Sequence, residues 1–275
     1  RVPHPIVLVG RLIGRLDELL HSPIAPARAQ RLAGAVLLAT VLAAAVAAAL
    51  AIQALAALVP GGWILEGLLM STLLAQRSLV THVRAVADGL RRGLAEARSA
   101  VARIVGRDPD ALDAHGVARA ALESLAENLS DAVVAPLFWG VLLGLPGMAA
   151  YKALNTADSM IGHKTPRHRH IGWASARLDD LANLAPARLT ALLLVAVAAA
   201  DRRPGALAAC WRDAPHHRSP NAGWPEAALA GALGVRLAGP RSYGGTPVRD
   251  GWMGDGRAEV LPEDIEAGIR LVWRA

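Results

Sequence analysis

Cysteine is almost missing from this chain of 275 residues. The single Cys210 excludes an internal disulfide and any cysteine-based metal site, and it points to a reducing compartment. Aromatic residues are also scarce, at 4%. Ala and Leu dominate instead, which suits close-packed helices better than sheets. No Walker-type Gly-rich loop, no G-x-G-x-x-G and no G-x-S-x-G occurs, so any nucleotide site must be built differently from the familiar ones. There is no internal repeat, no heptad run and no low-complexity tail beyond an Ala-rich stretch.

That stretch is what the chain has in place of those signals. From Leu32 to Val59 almost nothing is polar beyond Thr40 and Gln53. As a helix it would extend about 42 Å, more than the roughly 30 Å of a bilayer's hydrocarbon core. A signal-peptide core is only about 7–15 residues, so insertion is favoured over cleavage and export. The sequence starts at Arg1 rather than Met, which suggests a trimmed start. The net charge of +6 comes mostly from Arg, which prefers oxyanions and also suits a cytoplasmic membrane face.

The expected fold class is all-α: a polytopic integral membrane protein with about four to five membrane-associated helices, some re-entrant or broken, plus cytoplasmic amphipathic helices and loops. The whole chain, 1–275, reads as one membrane-embedded domain. Residues 1–31 are basic and Pro-rich, with an amphipathic piece at Ile6–Leu20. Pro60-Gly61-Gly62 ends the first span, over 32–59, and 64–80 can return as a second. Residues 81–131 form a cytoplasmic helical region, Arg-rich up to 119 with a close at Gly106-Arg-Asp-Pro109. Over 132–200 the apolar segments are interrupted by Pro136, Gly144 and Pro146, the pattern of broken or re-entrant helices around a site. Residues 201–275 read as loop-rich, with a short amphipathic helix near Ile265–Trp273. The positive-inside rule puts the N-terminus and the Arg-rich segment on the cytoplasmic side.

Four polar clusters stand against this apolar background. Glu123, Glu127 and Asp131 fall at i, i+4 and i+8, one face of a helix, with Ser124 and Asn128 alongside. Like charges so spaced repel by roughly 0.2–0.5 kcal/mol per pair, so the stripe invites a cation or is simply solvated. Lys152, Asn155, Thr156 and Ser159 share a second face, with Asp158 at its edge, and would cradle a phosphate if Lys152 does not merely snorkel. In Arg177-Leu-Asp-Asp-Leu-Ala-Asn183, Asp179 and Asp180 supply hard oxygens suited to Mg²⁺, and Arg177 and Arg188 could clamp anions, against a plain reading of one cap and one ion pair. The segment from Ser219 to Glu226 is a loop feeding a helix N-terminus, either an anion site or a capped turn. His163, His168 and His170 sit in basic surroundings without a nearby carboxylate, which favours a solvated loop over a metal site.

Taken in order, Pro3-His-Pro5, Val105-Gly-Arg-Asp108, Glu123 to Asp131, Ala135-Pro-Leu-Phe138, Tyr151 to Met160, Ala176 to Asn183, Pro186-Ala-Arg188 and Ser219-Pro-Asn-Ala-Gly223 resemble the adenosylcobinamide-phosphate synthase family of cobalamin biosynthesis over nearly the whole chain. The resemblance departs at the three histidines, where the family pattern has tyrosines. It implies an acid–amine ligase of the bacterial inner membrane with a cytoplasmic site. The propionate carboxylate of adenosylcobyric acid would join (R)-1-amino-2-propanol or its phosphate, with ATP and Mg²⁺ as cofactors. Membrane lipid would surround it, no nucleic acid is implied, and homo-oligomerisation is left open. On that reading Glu123, Glu127, Asp131, Asp179 and Asp180 would bind metal, one of these carboxylates instead serving as base. Glu127, Asp131, Lys152 and Asp180 are the catalytic candidates. Lys152, Arg177 and Arg188 would stabilise phosphoryl charge. Asn128, Asn155, Asp158, Ser159, Asn183, Ser219, Asn221 and Tyr243 would orient substrates. The rivals are a membrane Mg²⁺-dependent phospho-alcohol or prenyl transferase, suggested by Asp179-Asp180, and a transporter, suggested by the broken helices.

Overall fold

The uncharged run that follows Arg31 is helical, as expected. In the computed structural model, which describes residues 4–106, 108–243 and 246–275 (side chains of 240–250 excluded), a single helix α2 runs over Ala27–Ala56. Its few polar groups are answered locally. Thr40 Oγ1 donates to Val36 O at 2.8 Å, Gln53 Nε2 to Glu66 Oε2 at 3.1 Å, and Gln30 Nε2 to the carbonyls of Ser22 and Ala25. A polar group left unmet in hydrocarbon costs several kcal/mol, so this satisfaction is a condition of insertion. Among the described residues two helical stretches, Ala27–Ala56 and Ala114–Gly162, are long and apolar enough to cross a membrane, and a third arises if Trp173–Ala182 and Leu184–Val197 make one broken span. The molecule is an all-α membrane protein, with one small β-hairpin.

The chain divides into two compact units, residues 1–74 with 135–183 and residues 75–134 with 184–275. The first contains α1 (Pro5–Leu20), α2, α3 (Gly62–Thr72), α7 (Ala135–Ala157) and α8 (Trp173–Ala182). α1 starts at Pro5, which fits a first helical turn, after His4 Nδ1 accepts from Ile6 N. α2 and α3 are joined through Gly61 at φ 77°, a left-handed turn that a Cβ would strain. α7 bends at Gly144 (φ 65°, ψ −159°) just before Pro146, and it continues into a π-helical turn over Asp158–Gly162. Ile13, Leu37, Val41, Leu154 and Ile161 form one core of this unit, and Ala49, Leu145 and Met148 a smaller one.

The second unit holds α4 (Gln76–Arg92), α5 (Leu94–Val101), α6 (Ala114–Leu129), α9 (Leu184–Val197), α10 (Arg203–Asp213), α11 (Gly223–Leu233) and α12 (Pro262–Arg274). A two-stranded antiparallel ribbon, β1 (Leu237–Tyr243) with β2 (Thr246–Met253), pairs Leu237 with Met253. Val83, Val86, Leu122, Leu125, Leu194, Leu229 and Ile265 form its core. On the surface, Glu266 of α12 pairs with Arg84 and Arg91 of α4 at 3.7 and 3.6 Å.

Three expected boundaries change. The second span over 64–80 is two helices, because α3 stops at Thr72 and α4 begins at Gln76, and in between Ala75 N donates to Ala132 O at 3.1 Å. The Arg-rich helix is split at Gly93 (φ 153°), which folds α5 back so that Gly89 rests against the Ala97 backbone. The C-terminal region is more regular than loop-rich, with α10, α11, the ribbon and α12.

Candidate functional site

In the first unit the polar face begins where α7 loses its apolar character. Tyr151 and Lys152 are both buried, and the following residues carry Asn155, Thr156, Asp158 and Ser159. A π-turn widens the helix there, so the simple i, i+4 register ends at Ala157. Ser159 is exposed, and its Oγ donates back to Asn155 O at 2.8 Å, while Thr156 Oγ1 donates to Lys152 O. The Asp158 carboxylate folds across Gly162, in space that a Cβ at 162 would share.

Against this turn lies α8 with the two expected aspartates. Tyr151 Oη donates to Asn183 Oδ1 at 2.8 Å, and Asn183 Nδ2 donates to Asp179 Oδ2 at 2.9 Å and to Asp179 O at 3.2 Å. This chain of bonds fixes a carboxylate that is nine-tenths buried. Its other oxygen, Oδ1, is buried and accepts no hydrogen bond of normal geometry, although Asn155, Asp158 and Asp180 act on the same group. Asp180 is half-buried and pairs with Arg177 at 3.6 Å, as the i, i+3 spacing suggests, with Lys164 also within electrostatic reach. Trp139 Nε1 closes the group from α7 by donating to Ala182 O at 3.2 Å. The second and third sequence clusters therefore form one site. Lys152 departs from the expected shared open face, because it lines an apolar cavity.

The histidine loop is not the carboxylate-free segment its local sequence suggests. Asp17 of α1, 150 residues away, accepts from Arg167 Nη2 at 2.8 Å and lies 3.3 Å from His168 Nε2. His163 lies within electrostatic reach of Asp158. Only the fold brings these groups together, and no local signal announces Asp17.

In the second unit, α6 is capped by Asp113, whose Oδ1 accepts from Gly116 N at 2.6 Å. The stripe on its far end is not a uniform carboxylate ladder. Glu123 is buried, and its Oε1 accepts from the backbone N–H of Ala238 at 3.0 Å, at a residue held at φ 57°. A main-chain donor meets that oxygen. Glu127 is exposed and Asp131 half-buried, and Asp131 sits in a π-turn over Ser130–Val134 that shifts it off the i+8 position. Ser124 Oγ donates to Ile104 O at 2.9 Å, and Asn128 Nδ2 donates to Ser124 O at 2.9 Å.

The Pro186–Arg188 and Ser219–Gly223 motifs also meet. Arg188 Nη1 donates to Asn221 Oδ1 at 2.9 Å, Nη2 donates to Pro220 O at 3.2 Å, and the guanidinium lies 4.7 Å from the Trp224 ring centroid. Ser219 Oγ accepts from the N–H groups of Asn221 and Ala222. Gly223 opens α11 pressed against Ala214 O, where a Cβ would be 2.7 Å away. Arg188 thus clasps a loop with the fork that was expected to clamp an anion. The Tyr243 side chain lies outside the described residues.

The sequence of the family described as CobD/Cbib protein matches residues 1–272. The cobalamin biosynthesis protein CobD of a Sinorhizobium species is 52% identical over 282 residues, covering 100% of this chain and 87% of that protein. The CobD proteins of Rhodobacter capsulatus and Brucella suis biovar 1 are 50% and 48% identical, covering 100% and 99% of this chain and 86% of each relative. No solved structure matches.

Proposed function

The chain belongs to the CobD/Cbib family, and from that premise we propose that it works in cobalamin biosynthesis as an ATP-dependent acid–amine ligase. The reading joins the propionate carboxylate of adenosylcobyric acid to the amine of (R)-1-amino-2-propanol or its phosphate. The observation that carries it is the convergence of Asp158, Asp179 and Asp180 with Asn155, Asn183 and Tyr151 in one unit. Carboxylates and amides brought together beside Arg177 and Lys164 suit a substrate set that is both cationic and phosphorylated.

A carboxylate resists an amine until one of its oxygens becomes a leaving group, and phosphorylation by ATP is the usual solution. Arg177, Lys164 and Lys152 would offset phosphoryl charge, with Arg188 holding the Ser219–Asn221 loop in shape. Asn155, Asp158 and Ser159 would orient substrate. Asp180 would take the ammonium proton when it does not hold metal.

The Mg²⁺ implied by the family is tested by the donors. Among the described residues no three His, Cys, Asp or Glu side chains converge as a metal cage. An ion arriving with nucleotide phosphates needs only one or two carboxylates. Asp179, with its buried unbonded Oδ1, and the adjoining Asp180 meet that demand and would hold the ion. When bound, it would neutralise phosphoryl charge.

Purified protein in detergent, given adenosylcobyric acid, aminopropanol, ATP and Mg²⁺, should yield a corrinoid heavier by the amine less one water. It should also release ADP or AMP in equal amount. No mass gain with either the free or the phosphorylated amine would sink the proposal.

A further inference from the structure

The loop 163–172 joins two parts of the candidate site, the π-turn that carries Asp158 and the helix α8 that carries Asp179 and Asp180. It opens with His163 and Lys164, which lie within electrostatic reach of Asp158 and Asp180 respectively. Both are exposed, and the first fully buried side chain of the loop is Ile171. Turn bonds set the loop's own shape, Arg169 N donating to Thr165 O and Gly172 N to His168 O. They do not fix its direction against the rest of the unit.

α1 does that. Asp17 Oδ2 accepts from Arg167 Nη2 at 2.8 Å and from Nε at 3.1 Å, and it lies 3.3 Å from His168 Nε2. One turn further along, His21 Nε2 is 3.1 Å from Arg167 O. Stability alone does not account for the carboxylate. Its side chain is nine-tenths buried, and Oδ1 accepts no hydrogen bond among the described residues. A buried ion pair is on balance near neutral against well-packed apolar side chains, so what these donors add is a fixed geometry. Asp180 shows which cation depends on it. Arg177 reaches Asp180 from its own helix by i, i+3 spacing, whatever path the loop takes. Lys164 reaches it by the path of the loop.

We propose that Asp17 is a positioning residue of the candidate site: by gripping Arg167 and His168 it holds Lys164 beside Asp180, where the lysine meets nucleotide phosphate. The part given to Lys164 rests on the ligase reading, whereas the grip of Asp17 on the loop does not.

Asp17→Asn keeps the shape of the side chain and removes its charge. In detergent-purified protein it should raise the KM for ATP about tenfold and change kcat for amide formation by less than about twofold, the pattern of lost uniform binding. Asp17→Glu should restore most of that affinity. Lys164→Ala should raise the KM by a similar factor, and Asp17→Asn added to it should change little more, because Asp17 acts through Lys164. Hydrogen–deuterium exchange over 163–172 should rise in Asp17→Asn while exchange in α11 stays at the parental rate. Should Asp17→Asn fail to fold, Arg167→Gln releases the same carboxylate from its half-exposed partner and is read in the same way. Losses that multiply in the double variant are those of a merely structural bond and would overturn the proposal. So would an active parent in which Asp17→Asn moves neither the KM for ATP nor loop exchange, a result that leaves the ligase reading standing. A parent that forms no amide, with loop exchange still raised by Asp17→Asn, would remove the ligase reading and uphold the grip.

Discussion

At the scale of single residues, the position of Asp179 depends on a phenol one helix away. Tyr151→Phe removes the donor to Asn183 Oδ1 and leaves a buried amide oxygen unmet, which costs about 1–3 kcal/mol. The expected result is a lower unfolding temperature in detergent and a loss of amide formation larger than that of an exposed control such as Ser78→Ala. An unchanged melting temperature and rate would show that the bond positions nothing. Asp213 gives a prediction about pH. Burial works to raise its carboxyl, but the Arg212 guanidinium, with bonds at 2.6 and 2.7 Å, and the Gly254 N–H at 2.8 Å outweigh it and hold the group below its ordinary 3.8. A depressed folded-state value stabilises above the unfolded one, and that contribution fades as pH falls through the folded value. Asp213→Asn should therefore flatten the acid limb of the stability curve below about pH 4 and lower stability at neutral pH. A variant whose stability falls with acid as steeply as the parent would contradict this.

At the scale of elements, close approach by glycine decides which helices can meet. Gly34 of α2 lies under the Ile171 carbonyl, and Gly172 under that of Ile161, so a Cβ at either position overlaps backbone that has no flexible end to move. Gly34→Ala should shift the 163–172 loop off α2 at a cost of about 1–3 kcal/mol, read as faster proteolysis within that loop. Cleavage at the parental rate would refute the contact. The same elements show how much of the site was legible. The Arg177–Asp180 pair and the Asp179–Asn183 bond follow from helical spacing alone. Tyr151 meeting Asn183, Asp17 meeting Arg167 and Glu123 meeting Ala238 join residues 32, 150 and 115 positions apart. No local period encodes such pairs. The π-turns at Ser130–Val134 and Asp158–Gly162 also escaped, because a five-residue turn has no compositional mark that distinguishes it from an α-turn.

For the molecule as a whole, the question is how the chain sits in a membrane. If α2 spans, Ile24 and Val59 lie on opposite faces, with Ile24 on the side of the basic N-terminal segment. Ile24→Cys should react with an impermeant maleimide only from the cytoplasmic face, and Val59→Cys only from the other. The native Cys210 should stay silent in both, being 2% exposed, with burial and then Asp213 pushing its thiol up to about 12 against an opposing backbone bond. Labelling of both positions from one face would remove α2 from the list of spans.

Composition and period determined the helical class, the long apolar span and the identity of the chemical side chains, because Ala and Leu in the uncharged run from Leu32 to Leu65 admit few alternatives to a helix in hydrocarbon. They could not determine where the span after it breaks. No Pro or Gly marks Leu73–Ala75, and the break is settled by a backbone bond from Ala75 to Ala132. Nor could they assign work among the carboxylates. Glu123, Glu127 and Asp131 look alike in sequence, yet one is buried against a main-chain N–H, one is exposed and one sits in a π-turn. A carboxylate's role follows from which donors surround it and how far water is excluded, and both are properties of tertiary packing.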